Sequence, residues 1–226
     1  MGGSLTLARV VATLRKFYGK PVPPPVTDPF EQVLWENVAY LADDDKRAAA
    51  FAALRKTIGT SPQDILKATP AKLLAVTKLG GIVPEVRAQR LRHCAEIVQI
   101  LLKGNLDAAL DESLAQAKKT LRRFPTIGEP GAEKILMFAG KYQVLGLESN
   151  GLRVLLRLGF GQEQKNYSAS YRAAQNALAG QLPKDCQSLV SAHQLLRRHG
   201  QELCKRSRPR CDECPLRDSC AFAAKL

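Results

Sequence analysis

The chain has 226 residues, which is enough for one large domain or two modest ones. Hydrophobic residues make up 45% of it, so it can bury a core, yet it has no run of about 20 apolar residues that would form a transmembrane helix. A net charge of +13 favours a polyanionic partner, usually nucleic acid, although a large net charge can also serve solubility alone.

Good helix formers dominate the chain, and apolar residues recur with a period near 3.6. These patterns predict an all-α fold of about ten short helices. Residues 5–19 are interrupted by Arg9 and lack a small-residue cleavage site, so they are predicted to form an amphipathic helix rather than a signal peptide. The cysteines are then expected in a reducing cytoplasmic compartment, near the nucleoid if the cell is prokaryotic.

Helix breakers divide the first half of the chain. Asp28 is placed to cap a helix that begins at Pro29, and Ser61 and Pro62 begin another helix in the same way. The first of these helices is predicted to run from Phe30 to Asp45, with the aspartates 43–45 in a solvated capping turn. Residues 82–103 also have a helical period, and we expect their apolar side chains on one face: Ile82, Val83, Val86, Leu91, Cys94, Ile97, Val98, Leu101 and Leu102.

Two helical patterns between residues 114 and 140 flank a turn that is rich in proline and glycine. Pro125 ends the first helix, Pro130 opens the second, and Gly128 permits a left-handed or crowded backbone. A glycine turn at a helix N-terminus presents free N–H groups that can bind a phosphate without reading sequence. A plain connector between helices has a similar pattern. The candidate DNA contacts in this turn are Thr126, Gly128 and Gly131.

Four cysteines lie within seventeen residues near the end of the chain, as Cys204-x6-Cys211-x2-Cys214-x5-Cys220. Thiolates hold iron–sulfur clusters and also zinc. Zinc sites usually contain two short cysteine pairs joined by a longer spacer, and only one short pair is present, so the spacing favours a cluster over zinc or unligated thiols. Cys94 and Cys186 stand apart in helical patterns and are predicted to pack in the core.

Four cations lie between the first two cysteines of this loop: Lys205, Arg206, Arg208 and Arg210. A loop that is pinned at both ends by a metal centre is a rigid surface for DNA phosphates. Binding through it is expected to depend steeply on salt, because each phosphate contact releases counterions.

The turn and the cysteine loop resemble the helix-hairpin-helix DNA glycosylase superfamily that includes endonuclease III. Phe124, Pro125, Ile127 and Gly128 fit the family's Leu-Pro-Gly-Val-Gly turn, with Thr126 in place of the first glycine. The cysteine spacing resembles the [4Fe-4S] loop of endonuclease III. The resemblance implies a [4Fe-4S] cluster and a two-domain helical fold. Residues 24–141 would form a six-helix barrel domain with the hairpin, and residues 1–23 and 142–226 a discontinuous helical domain with the cluster.

The resemblance also implies an active site that departs from the family's pattern. Glu148 stands at the position of the catalytic aspartate, and Ser149 and Asn150 are expected to cap the helix that follows. The alternative for Glu148 is a solvated surface carboxylate. Pro130 replaces the lysine that forms a Schiff base with the sugar in bifunctional relatives, and Lys134 lies one helical turn later.

Two side chains of the first barrel helix complete the implied site. Leu41 stands where relatives place a residue that fills the gap left by a flipped base. Glu36 lies near, but not at, the position of an extra catalytic glutamate in adenine-specific relatives.

The expected function is therefore that of a monofunctional DNA glycosylase of base excision repair, acting as a monomer on double-stranded DNA. Such an enzyme flips a damaged or mismatched base and hydrolyses its N-glycosidic bond. Two other functions remain open. One is a non-catalytic iron–sulfur protein that binds DNA structures, and the other is an electron-transfer or redox-sensing protein that uses the cluster itself.

Overall fold

The structure is a computed structural model that describes residues 5–39 and 42–226. Within these ranges the protein is helical and has no β-strand, which confirms the all-α fold. None of the helices in these ranges is long and apolar enough to cross a membrane. The α-helices are α1 (Leu7–Tyr18), α2 (Pro29–Val38), α3 (Asp44–Thr57), α4 (Pro62–Lys67), α5 (Pro70–Lys78), α6 (Pro84–Glu96), α7 (Leu106–Ala109), α8 (Leu114–Leu121), α9 (Glu129–Phe138), α10 (Ser149–Leu158), α11 (Tyr167–Ala177) and α12 (Cys186–Glu202).

Shorter helical turns complete the secondary structure. A π-helical turn, Ile97–Leu101, continues α6, and three 3-10 turns lie in the cysteine-rich segment at Cys211–Glu213, Arg217–Ser219 and Ala223–Lys225. The chain divides into two compact units. One is Pro25–Lys141, and the other combines Met1–Pro24 with Tyr142–Leu226.

The helix starts of the unit Pro25–Lys141 follow the local sequence. Asp28 accepts a hydrogen bond from the Glu31 N–H at 2.8 Å, one turn into α2. Ser61 caps α4 in a reciprocal capping box with Asp64. Side-chain caps of this kind satisfy N–H groups that a helix leaves unpaired at its start, which is why both predicted starts are confirmed.

The predicted helix from Phe30 to Asp45 is wrong at its end. Helix α2 stops at Val38, and Ala39 has an extended backbone with φ −134° and ψ 147°. The aspartates belong to the next helix: Asp43 caps α3 through the Lys46 N–H at 2.8 Å, and the other two lie in its first turn, where the helix dipole favours negative charge. Leu41 lies outside the described residues.

The single apolar face expected for residues 82–103 is also only partly correct. Leu91, Cys94, Ile97 and Val98 are buried, which confirms the core position of Cys94, whereas Ile82, Val83, Val86 and Leu101 are exposed. Helix α6 begins only after Val83, which has a left-handed backbone with φ 48°, so the residues before it do not share the helical period. The π-helical turn adds a residue per turn and rotates Leu101 off the buried face.

The unit that joins the two chain ends is built around α10 and α12. Helix α1 packs on α12 through Leu7, Val10 and Leu14, which are buried. Helices α10 and α12 cross closely at Gly200, where a Cβ would lie 2.6 Å from the Asn150 carbonyl oxygen. This contact fixes the start of α10, the helix that begins with the proposed catalytic segment. Cys186, at the start of α12, is half-buried with Sγ 3.4 Å from the Tyr142 carbonyl oxygen, so it lies at the edge of the core.

Candidate iron–sulfur and DNA-binding site

The hairpin turn joins α8 to α9 and is held from below by two buried apolar residues. Phe124 and Ile127 are 2% and 6% exposed, while Thr126 and Gly128 between and after them face solvent. Asn37 of α2 is buried beneath the turn, and its side-chain amide donates to the Pro125 carbonyl at 3.1 Å. The turn is therefore an ordered platform and not a loose connector.

The left-handed residue of the turn is Thr126, with φ 66°, and not Gly128, with φ −88°. A β-branched residue rarely adopts this conformation, which glycine takes freely. It is the position where the family's turn has its first glycine. The Thr126 hydroxyl donates to the Asn37 side-chain oxygen at 3.3 Å, which helps to hold the strained backbone.

Gly128 is not crowded by the protein, contrary to expectation. A Cβ on it would approach only Pro130 Cδ, at 3.9 Å, and a Cβ on Gly131 would approach only Ile127 Cγ2, at 3.6 Å. Gly128 precedes α9 without a side-chain cap, and within the residues that the structure describes no acceptor reaches the N–H groups of Gly128 or Gly131. Open N–H groups at the start of a ten-residue helix can receive a phosphate oxygen.

Two lysines near the hairpin, Lys118 and Lys134, are engaged by carboxylates. Lys118 Nζ lies 2.7 Å from Glu129 and 2.6 Å from Glu133, so it offsets the negative charge of the first turn of α9. Lys134 Nζ lies 2.7 Å from Glu36. Pro130 occupies the first turn of α9 itself and has no amine. An ammonium held in an ion pair is a poor nucleophile, because Schiff-base formation needs the neutral amine.

Glu148 is the N-cap of α10, so the expectation that Ser149 and Asn150 would cap this helix is wrong. Its Oε1 accepts from the Gly151 N–H at 2.7 Å, and its Oε2 accepts from the Asn150 amide at 2.8 Å. The side chain is half-buried and is held in one orientation by these two bonds. A carboxylate has about four lone-pair positions, so it retains acceptor capacity for a substrate.

The Tyr167 side chain lies close to this carboxylate. Burial raises the pKa of Tyr167 to about 12, and the negative charge of Glu148 adds to the rise. The phenol is therefore neutral at physiological pH.

All four cysteines of the C-terminal loop line one cavity, together with Arg157, His199 and Phe222. Four thiols around a common space form the soft donor set that suits an iron–sulfur cluster. A single tetrahedral zinc would need sulfurs about 3.8 Å apart, from Zn–S bonds of about 2.3 Å. Over residues 5–39 and 42–226, no three Cys, His, Asp or Glu side chains are grouped closely enough for one metal ion.

A buried histidine contacts this cysteine set from α12. His199 Nε2 lies 3.5 Å from Cys214 Sγ, and His199 Nδ1 lies 3.1 Å from the Tyr18 hydroxyl of α1. Burial lowers the pKa of His199 to about 4, so the ring is neutral, and burial raises the pKa of Tyr18 to about 12. A Cys214 thiolate that holds a cluster can only accept, so in that state Nε2–H points at the Cys214 sulfur and the Tyr18 O–H donates to Nδ1. Its position five residues before Cys204 was the only sequence feature that linked His199 to the loop.

Two arginines of α10 organise the loop. Arg157 donates to the carbonyls of Lys205 and Arg206 at 2.8 and 3.0 Å, and its Nη1 lies 3.5 Å from Cys204 Sγ. Arg153 donates to the Cys204 carbonyl at 2.8 Å and to the Asn150 side chain at 2.8 Å. Because Asn150 also bonds Glu148, one chain of hydrogen bonds joins the candidate carboxylate to the first cysteine of the loop.

The basic loop is less uniform than its sequence indicates. Lys205, Arg206 and Arg208 are exposed, and no anionic partner binds them in the described part of the chain. Arg210 forms a bidentate ion pair with Glu213, at 2.5 and 2.7 Å. Three of the four predicted DNA-binding cations are thus free to meet phosphates, and the fourth is held within the loop.

Comparison with known proteins agrees with this geometry. Residues 204–220 match the iron-sulfur binding domain of endonuclease III. Endonuclease III of Sulfolobus acidocaldarius is 23% identical over 194 residues, covering 85% of this chain and 82% of the relative. Endonuclease III of Thermotoga maritima is 24% identical over 196 residues, covering 87% and 84%.

Solved structures show the same fold. A trapped endonuclease III–DNA covalent intermediate superposes with a TM-score of 0.75 at 18% identity and covers 98% of each chain. A thermostable thymine-DNA glycosylase superposes with a TM-score of 0.76 at 17% identity and covers 97% of each. The cysteine loop, the hairpin and the all-helical fold thus agree in their similarity to the helix-hairpin-helix DNA glycosylase superfamily, and the matched iron-sulfur binding domain of endonuclease III supports a [4Fe-4S] cluster in this chain.

Proposed function

We propose that this protein is a DNA glycosylase of base excision repair that hydrolyses the N-glycosidic bond of a damaged or mismatched base and makes no strand break itself. The observation that carries the proposal is the hydrogen-bonded chain from Glu148 through Asn150 and Arg153 to Cys204. These hydrogen bonds connect the fixed Glu148 carboxylate to the start of the basic loop. Binding of a DNA phosphate to the loop would therefore help to position the sugar at the carboxylate.

DNA binding would use two surfaces. The open N–H groups of Gly128 and Gly131, beside Thr126, suit one phosphate of the backbone. The exposed Lys205, Arg206 and Arg208 suit others, with Arg210 as a support for the loop. These contacts carry no base information, so they position double-stranded DNA without choosing a sequence. We expect the protein to act as a monomer in the cytoplasm.

Base extrusion leaves a gap in the duplex that needs to be filled. Leu41 is the residue proposed for this role from the sequence. A turn just before α6 offers two further apolar groups, because Ile82 and Val83 are 55% and 46% exposed. A Cβ on Gly80 would lie 2.2 Å from the Val38 carbonyl oxygen, so this turn packs directly on the end of α2. Apolar side chains that enter base steps are a common device of proteins that distort DNA. Ile82→Ala should slow base release while leaving the binding of undamaged duplex unchanged.

Hydrolysis would depend on the Glu148 carboxylate. Bond cleavage builds positive charge on the sugar, and a fixed anion stabilises that charge or orients the attacking water. The hydrogen bonds from Gly151 and Asn150 hold the carboxylate in place before the substrate arrives. No amine stands in the first turn of α9, so the reaction is expected to stop at an abasic site.

The four cysteines of the loop are proposed as the ligands of the [4Fe-4S] cluster: Cys204, Cys211, Cys214 and Cys220. When bound, the cluster supplies a rigid anchor for the basic loop between its first two ligands, and base hydrolysis requires no electron from it. The donor set fits the group, since all four cysteines line one cavity.

A second candidate function has its own supporting observation. Both oxygens of Glu148 already serve the start of α10, which is a sufficient structural reason for a carboxylate at this position. A non-catalytic DNA-binding protein would keep that cap. Duplexes that carry oxidised, alkylated, deaminated or mismatched bases separate the two functions, with base release scored after alkali treatment. Release from any of them supports the glycosylase, and tight binding without release from all of them supports the binding protein.

A further inference from the structure

A cavity of about 610 Å³ lies between the cysteine loop and the segment that follows α10. One face of α10 forms its floor, and the segment 163–167, Arg206 of the basic loop and the C-terminal residues 221–225 form its walls. Its volume falls within the range of about 300–1,000 Å³ that is typical of ligand sites. None of the residues assigned above to catalysis lines it.

The charge of this cavity is strongly positive. One carboxylate, Glu163, faces five cations: Arg153, Arg157, Lys165, Arg206 and Lys225. The two arginines of α10 donate to backbone carbonyls and remain as fixed charges. Lys165, Arg206 and Lys225 are exposed, and the part of the chain that the structure describes gives them no ion-pair partner. Such a surface suits a ligand with several regularly spaced negative charges.

The cavity also contains an aromatic ring that is supported from behind. Tyr167 is 46% exposed, and its ring stacks on the buried Tyr171 with centroids 6.3 Å apart and planes at 23°. The two rings are nearly parallel, and about half of Tyr167 remains exposed to a ligand. Its phenol is neutral at physiological pH, as argued above, so the ring adds no negative charge that would repel phosphates.

We propose that this cavity binds a stretch of single-stranded DNA, with Tyr167 stacking one unpaired base and Lys165, Arg206 and Lys225 contacting the phosphates beside it. Cations that follow a backbone, interrupted by an aromatic side chain, are the usual arrangement of single-strand binding sites. The inference rests on the proposed DNA glycosylase function and adds to it a strand-binding site outside the hairpin, beside the segment that carries Glu148. Since α10 forms both the floor of the cavity and the helix that Glu148 caps, the bound strand would lie on the element that carries the proposed catalytic carboxylate.

The test uses the full-length protein with its cluster and an undamaged ten-nucleotide oligonucleotide that contains one 2-aminopurine. Binding is followed by anisotropy of an end label over a salt series, and stacking is followed by quenching of the 2-aminopurine fluorescence. Tyr167→Ala should weaken binding by about 5- to 160-fold and abolish the quenching, whereas Tyr167→Phe should retain both. Phe17→Ala is the matched control, because Phe17 is 51% exposed in the same unit and does not line the cavity.

A second variant separates charge from stacking. Replacing Lys165, Arg206 and Lys225 by glutamine should make the slope of log K against log salt shallower by about 2, from about 0.7 per phosphate contact on a single strand, while quenching persists at saturation. The same replacement of the exposed Lys67, Lys72 and Lys78, which do not line the cavity, should leave the slope nearly unchanged.

Two results would overturn the strand site. One is that Tyr167→Ala binds and quenches like the wild type, and the other is that both glutamine variants change the slope equally. Because the oligonucleotide is undamaged, no base release is needed. If these losses occur in a protein that releases no base, the strand site stands and the glycosylase proposal fails. If base is released while the variants bind normally, the strand site alone fails.

Discussion

Replacing Glu148 by glutamine separates the catalytic role proposed for this carboxylate from its structural role. The glutamine side-chain oxygen can still accept from the Gly151 N–H, which is 2.7 Å from Glu148 Oε1, so the cap of α10 is retained. What is lost is the negative charge at the helix start, about 0.3–1 kcal/mol of favourable interaction with the helix dipole. For a protein of 226 residues this corresponds to a fall in Tm of less than about 4 °C.

The effect on base release should be much larger. Removing one preorganised electrostatic group from a reaction centre costs about 10²–10³ in rate, and the loss should fall on the chemical step. Binding of DNA should be unchanged or slightly tighter, because one anion near the phosphates is gone. Single-turnover base release, titration with labelled duplex and thermal melting measure the three quantities on the same preparation.

Glu148→Ala provides the comparison. It removes the cap as well as the charge, and loss of an N-cap costs about 0.5–2 kcal/mol, so its Tm should fall further than that of Glu148→Gln. Full base release by Glu148→Gln would refute the catalytic assignment. Equal melting temperatures for the two variants would refute the capping argument.

Three further variants or assays test other parts of the structure. Borohydride should trap no covalent adduct between protein and DNA, and strand breaks should need alkali or heat, because Pro130 has no amine; a trapped adduct would contradict hydrolysis without a lyase step. Gly200→Ala should lower Tm by about 2–12 °C, because the new Cβ would lie 2.6 Å from the backbone of α10. Gly151→Ala is the control and should not lower Tm, because its Cβ would approach other atoms no closer than 3.5 Å. Equal changes in Tm for the two variants would show that the helix crossing is loosely packed. His199→Phe should lower the reduction potential of the cluster by tens of millivolts, because it removes the hydrogen bond to the Cys214 sulfur. A hydrogen bond of about 1 kcal/mol corresponds to about 43 mV for a one-electron couple. If voltammetry gives the variant the same potential as the wild type, this hydrogen bond is absent.

Features set by neighbours in the chain were predictable from the sequence. At Asp28 and Ser61 the capping side chain accepts a hydrogen bond from an N–H group three residues later. The local sequence is therefore sufficient to predict both caps. The cysteine loop is predictable for a similar reason, because all four thiols lie within seventeen residues. Periodicity likewise identified α1 and most of the helical fold.

Features that depend on packing or on small changes in helical phase could not be predicted from the sequence. Helix α2 ends at Val38 and helix α6 begins only after Val83, which leaves Ile82 and Val83 exposed. In both places the apolar pattern continues without a break, so it does not show where the helix begins or ends. The left-handed Thr126 depends on a bond to Asn37, which is 89 residues away. Glu148 is an unusual N-cap, so the sequence favoured the serine and asparagine after it.

The cavity beside Tyr167 depends on contacts that are distant in the sequence. Its walls come from separate parts of the chain, between Ser149 and Lys225. The pattern of cations in each part is ordinary by itself, and only the fold brings them to one surface. The cations of the cysteine loop are therefore evident in the sequence, but nothing in the sequence groups them with Lys165 or Lys225.

The bond between Tyr18 and His199 has a consequence for the order in which the protein is made. These residues are 181 positions apart, and Cys214 on the other side of the histidine is translated later still. At about 5–20 residues per second, the first helix waits on the order of ten to forty seconds after leaving the ribosome before its partner helix exists. During that time the apolar face formed by Leu7, Val10 and Leu14 lacks the helix that buries it in the folded protein. Because the same histidine contacts α1 and a cysteine of the loop, docking of the earlier-made helix α1 and maturation of the metal centre are expected to depend on each other late in biosynthesis.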